Sequence, residues 1–327
     1  MQCLIGIFIL ASCIHNTDFE KYQTKRNTVI SVHDSIREFS TDTILVGSFA
    51  RMFLMKDYLI IGDYRSSNNQ IHIFDKNNFS YLTSTGKIGQ GPDEITVLGN
   101  IGVDEARGKF YVSDHGKMKI FSYDMDSVLK CTSYSPRIKS DMNMTRFPDK
   151  YQYISDTMSV ALMIEPTSVS TFNMAVSKWN LKDGTFSSMP YQHPKITKKR
   201  ISFAASMEHN LYVECYNYYD LMTICSLDGS LKCNVYGPQW SAKESNKIHC
   251  YGDVIFCGDK IVAAYSGKKN FSDDYYPTQL LVFDLEGNYL KTMDVGYRIV
   301  SLCYDKVEKP NKFDPFGQKE LTLLATI

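Results

Sequence analysis

The chain has 327 residues, with 36 basic and 36 acidic side chains, so its net charge is zero. That balance gives no electrostatic reason to expect nucleic acid or an anionic membrane surface as partner. Hydrophobic residues make up 43%, enough for a packed core, and the 22 Tyr and 18 Phe lean towards β-structure.

The chain opens on an apolar run from Leu4 to Leu10, too short to span a bilayer, which takes about 20 helical residues. It has the dimensions of the apolar part of a secretory signal. The run ends in Leu10-Ala11-Ser12-Cys13, which resembles the lipobox of bacterial lipoproteins. That resemblance implies cleavage before Cys13 and acylation of its thiol, giving membrane attachment. Residues 1–13 are thus expected to be the signal, 14–27 a polar flexible tether, and 28–327 the folded domain.

Beyond the tether a unit recurs. An acidic residue is followed by an apolar, strand-like run in "KDYLIIGDY" at Asp57, "VDEARGKFYVSD" at Asp104, "PDKYQYISD" at Asp149, "MEHNLYVECY" at Glu208 and "GDKIVAAYS" at Asp259, with a damaged copy at Asp305. A polar loop and a second strand come next, as in "IHIFDKNN", "TICSLDGS" and "LVFDLEGN". A third strand follows, such as "YLTSTG", "SVLKCTSY" or "YLKTMDVG", and a fourth run precedes each acidic residue. Asp-Gly and Glu-Gly turns between alternating strands indicate antiparallel hairpins. Four such strands in roughly 40–50 residues are the signature of a propeller blade. One blade cannot bury both of its faces; blades stacked round an axis can. The expected fold is all-β, a six-bladed β-propeller. Its last blade is expected to be completed by N-terminal strands, "TVISVHDS" (28–35) and "TDTILVGS" (41–48).

The glycine-rich "GKIGQGPDEI" (86–95) superficially suggests a phosphate cradle. Such cradles depend on a following helix N-terminus, whereas a strand follows here, so a blade crossover is expected. The pattern "GQGPDE", then "VDEARGKFYVSD" and "KIFSYD", resembles six-bladed propeller lipoproteins of Gram-negative gut bacteria, similar to TolB-like and NHL-like propellers. That resemblance implies fold and export, with a cell-envelope location on the outer membrane or periplasmic face. It implies no activity.

Ligands of propellers tend to meet the face that carries the blade-to-blade crossovers and the loops between second and third strands. Candidate ligand-binding residues on that face are Arg65, Asn68, His115, Lys117, Arg146, Tyr218, Tyr219, Trp240, Lys268, Tyr275 and Tyr276. Aromatics beside hydrogen-bonding groups suit a protein, peptide or glycan. No histidine stands beside a serine or cysteine in a nucleophile context, so no catalytic residue is assigned. The expected function is non-catalytic binding or scaffolding. The alternative is a calcium-dependent hydrolase or lyase with its metal in the central channel, for which Asn100 and Asp253 are the candidate ligands. No other cofactor is expected. Cys225 and Cys233 flank the turn at Asp228-Gly229, which allows a cross-strand disulfide, although free thiols in apolar strands are the simpler expectation.

Overall fold

The computed structural model describes residues 16–39, 44–131, 134–243, 247–272, 274–306 and, in backbone, 322–326. Cys13 lies outside the described residues. The chain forms a six-bladed β-propeller. Blade one comprises Ala50–Met55, Tyr58–Asp63, Asn69–Asp75 and Tyr81–Lys87, numbered from the axis outwards. Blade two comprises Leu98–Asp104, Lys109–Asp114, Lys119–Asp124 and Arg137–Asp141. Blade three comprises Phe147–Ser155, Met158–Pro166, Phe172–Trp179 and Phe186–Ser188. Blade four comprises Ile201–Ser206, Leu211–Tyr216, Leu221–Ser226 and Leu231–Tyr236. Blade five comprises Ile248–Cys257, Lys260–Lys269, Gln279–Asp284 and Tyr289–Asp294. In blade six, Ser301–Asp305 pairs antiparallel with Thr322–Thr326.

The core lies between blades, because each sheet buries both faces. Between blades four and five, Val213, Cys215, Ile224 and Val235 meet Tyr251, Val254, Ile261 and Phe283, all buried. Each such side chain contributes roughly 1.5–3 kcal/mol by leaving water. Comparable clusters join the other neighbouring pairs. Blade one closes on blade six where Ala50, Met52 and Ile61 pack beside Cys303. The turn expected at Asp228-Gly229 forms, with Gly229 at φ +94°, a conformation that glycine adopts without steric cost.

Three features depart from the sequence reading. Residues expected as the outermost strand of blade two begin instead as a short helix, Met125–Lys130. Asp124 caps it, accepting from the Ser127 N–H at 2.9 Å, and Met125 and Val128, one turn apart, are buried. The outer strand of that blade is Arg137–Asp141. In blade three, "PDKYQYISD" is the inner strand, so Asp156, midway between Asp104 and Glu208, replaces Asp149 as the turn residue.

The third departure concerns the N-terminal strands. Val29–Ser31 does not complete blade six; it pairs in parallel with the outer strand of blade five. Glu20–Tyr22, in the expected tether, pairs in parallel with the outer strand of blade four. Both outer strands offer an unpaired edge that a short extended segment can satisfy. Between them Arg26 inserts among the blades. It meets Asp220 Oδ1 at 2.9 Å and donates to the Tyr251 hydroxyl at 3.0 Å. Residues 20–31 are therefore a strap over two blades. Blade six still receives N-terminal side chains: Val32 and Ile36 pack against Ile299 and Leu302, and Ile44 and Val46 near Cys303. Residues 44–48 form no strand.

Candidate functional site

Polar side chains on and beside the inner strands link every neighbouring pair of blades. The Tyr64 hydroxyl donates to Gly99 O at 2.7 Å, from blade one to two. Asn100 Nδ2 donates to Tyr151 O at 2.8 Å, from two to three. Gln152 Oε1 accepts from the Ala205 N–H at 3.2 Å, and Asn217 Nδ2 donates to Tyr251 O at 2.8 Å. Asp253 Oδ2 accepts from the Leu302 N–H at 3.0 Å, and Ser301 Oγ from the Met52 N–H at 3.4 Å, which closes the circle. Buried backbone groups at the blade seams thus find partners.

Inside this circle lies a channel of about 500 Å³ lined by Arg51, Asn100, Lys150, Gln152, Asp253 and Ser301, among others. Lys150 Nζ reaches Asp253 Oδ1 at 2.7 Å, from blade three to blade five. Burial by itself would raise the Asp253 carboxyl. The Lys150 ammonium and the Leu302 N–H outweigh it and hold the group below the usual carboxylate range.

The two proposed calcium ligands do not fit a calcium cage. Both Asp253 oxygens are engaged, one by an ammonium that a cation would have to displace. Asn100 Oδ1 is buried without a donor, but one neutral oxygen falls far short of the six to eight that calcium takes. Among the described residues, no group of three or more His, Cys, Asp or Glu is placed to hold a metal.

The loop face carries the accessible chemistry. Of the sequence candidates, Arg65, Tyr218, Tyr275 and Tyr276 come together, joined by three residues that sequence reasoning missed: Phe49, His249 and Arg298. The line runs from blade four across five and six to one. Tyr218 meets the His249 ring edge-on at 6.2 Å, and His249 meets Tyr275 at 5.7 Å. Tyr275 and Tyr276 lie 4.1 Å apart. The Arg298 guanidinium covers Tyr276 at 3.4 Å and faces Phe49 at 5.4 Å, and Arg65 covers the Phe49 ring at 4.0 Å. Burial pushes the His249 imidazole below its ordinary value, favouring the neutral ring.

The remaining candidates are placed elsewhere. Tyr219 is buried and Trp240 packs against it, in an aromatic cluster with Tyr236 and His193. His115 Nε2 donates to Pro148 O at 3.0 Å, from blade two to three. Lys117 donates to the carbonyls of Gly91 and Glu94, bracing the glycine-rich crossover. Arg146 stacks on Phe186 at 4.3 Å and donates to Ser188 Oγ. Lys268 pairs with Asp274 at 3.2 Å on the surface. Asn68 is exposed, and its carbonyl accepts from Ile88.

The crossover itself is no anion cradle. The Glu94 carboxylate accepts from the Gly91 N–H at 2.9 Å and pairs with Lys87 at 3.1 Å, so an internal anion sits where a phosphate would. The Gly91 N–H first, then Lys87, hold its carboxyl below the ordinary value. Gly86, at φ +69°, leads into it; a Cβ there would lie 2.7 Å from Ile95 Cδ1.

Fold and site together define a propeller whose channel is crossed by a Lys150–Asp253 ion pair and whose loop face is open. The chain belongs to the 6-bladed beta-propeller family, whose model matches residues 16–236. No curated protein matches it in sequence. Among solved structures, a Bacteroides vulgatus protein of the duf4221 family is similar at 13% identity, with a TM-score of 0.55, over 74% of this chain and 80% of the other. A candidate exported protein of Bacteroides fragilis is similar at 13% identity and TM-score 0.50, over 85% and 80%. A luciferin-regenerating enzyme is similar at 10% identity and TM-score 0.51, over 86% and 91%. At these identities the likeness is one of fold.

Proposed function

We propose that this chain is an exported, lipid-anchored propeller of the cell envelope that recognises a protein, peptide or glycan on its loop face and catalyses no reaction. The observation that carries this reading is the continuous line from Tyr218 to Arg65. It draws on the loops or strand starts of three blades and the crossover to a fourth, and its members are half-buried or exposed. Tyr and Arg are the residue types that most often carry binding energy at interfaces. Export and anchoring rest on the apolar run before Cys13, and the Bacteroides fragilis relative of the same fold supports an exported location.

The test is capture of partners from envelope membranes by the wild-type chain and by a Tyr218→Ala/His249→Ala variant. Loss of a captured partner in the variant, with an unchanged melting midpoint, supports the reading; equal capture removes it. Labelling with a radioactive fatty acid, compared between wild type and Cys13→Ala, tests the anchor.

A further inference from the structure

Five side chains on the loop face stack in series: Tyr275, Tyr276, Arg298, Phe49 and Arg65. Stacking uses the flat faces of rings and guanidinium planes. It leaves their edges, and the edges hold the N–H and O–H donors. Among the described residues, no carboxylate lies within ion-pair range of Arg65 or Arg298, and Arg298 Nε is buried with no acceptor. Arg26 and Arg107, by contrast, each meet an aspartate at 2.9 Å. The stack thus holds two guanidinium groups in fixed planes, with no carboxylate on their hydrogen-bonding forks among the described residues. The loop that supplies both tyrosines also raises Phe271, 86% exposed, into solvent.

We propose that this stack binds the carboxylates of an acidic protein segment that also carries apolar residues. The proposal rests on the loop-face reading and gives it a ligand chemistry. A planar guanidinium matches a carboxylate through two parallel hydrogen bonds. Cation–π contact with Tyr276 and Phe49 fixes each plane beforehand, so less freedom is lost when the acid arrives. A neutral sugar would leave both forks without a charged partner. A sugar acid would satisfy the forks but make no use of Phe271, whereas a peptide with leucine beside glutamate engages both.

Fluorescence anisotropy with a labelled peptide of alternating glutamate and leucine, titrated with the folded chain at low salt, tests this. Binding is expected to weaken as salt rises. Arg65→Gln should weaken it about tenfold or more, as loss of a charge-assisted pair predicts. Arg65→Lys, which keeps the charge but not the fork, should fall in between. Arg65 is exposed, so its variants keep the fold, and a melting curve verifies this; Arg298→Gln serves as the second variant. No binding by the wild type, or equal binding by Arg65→Gln and Arg298→Gln, overturns the proposal. So does binding of oligogalacturonate with none of the peptide. If an envelope partner is lost in Tyr218→Ala/His249→Ala but kept in Arg65→Gln, this inference falls while the loop-face reading stands. Capture indifferent to both variants removes the two together.

Discussion

Lys150 Nζ and Asp253 Oδ1 stand 2.7 Å apart in the channel, tying blade three to blade five past the blade between them. The pair is a crossbar. It neutralises two charges in the channel.

Removing one end should leave the other stranded. Lys150→Met is expected to cost about 2–4 kcal/mol, less than the roughly 3–5 kcal/mol for breaking a fully buried pair, since the Lys150 side chain is 27% exposed. The pH dependence has a definite sign. The Asp253 carboxyl is held below its unfolded value, so its contribution is present above about pH 4 and is lost as pH falls through the folded pKa. Urea melts at pH 7 and in acid should show the gap between wild type and Lys150→Met narrowing as pH falls.

The circle of inter-blade hydrogen bonds makes a second prediction. Asn100→Ala leaves Tyr151 O without its donor and should cost roughly 1–3 kcal/mol, the penalty for an unpaired buried group. If Asn100 instead held calcium, a chelator would lower the wild-type midpoint and leave the variant unmoved. We expect the chelator to change neither.

The strap over blades four and five should matter as much as any core residue. The Arg26 and Asp220 side chains are 7% and 0% exposed. Arg26→Ala leaves a buried aspartate facing Tyr265 and the Gln239 N–H. A loss of about 3–5 kcal/mol is expected, measured by chemical denaturation. Deleting residues 16–27 should cost at least as much, because it also bares the outer strand of blade four.

The thiols make a fourth. Cys225 stands opposite Leu231, and Cys233 opposite Ile224, so the two do not face each other and no disulfide joins them. Burial pushes the Cys225 thiol up to about 12 and the Cys233 thiol up to about 11. Of the seven cysteines from 131 onwards, exposed Cys131 should be alkylated first in the native chain at pH 8, with the buried thiols reacting only after denaturation. Rapid native labelling of Cys225 or Cys233 in a mass-spectrometric map would contradict this packing.

The blades were legible because strand alternation and acidic turns repeat at nearly constant spacing, and that signal is local. It slipped at Asp149, where an acidic residue inside an inner strand imitates the turn residue Asp156. The helix after Asp124 escaped because it buries only two side chains, too few for a period. The strap escaped for another reason: its strands are three residues long and their partners lie some 200 or more residues away. The same limit applied at the loop face. Tyr275, Tyr276, Tyr218 and Arg65 stand out as loop residues, but Phe49 and His249 begin inner strands, and Arg298 sits in what reads as the run before Asp305. Only the order of blades round the ring sets these residues side by side.

The strap also bears on orientation. If a lipid is carried at Cys13, Asn16, whose side chain already accepts from the Tyr22 N–H, follows so soon that a fully stretched chain of about 3.4 Å per residue gives ~10 Å of leash. The rim of blades four and five would then hang against the bilayer, with the propeller standing on its side. Its loop face would look along the membrane, towards neighbours anchored in the same sheet of lipid.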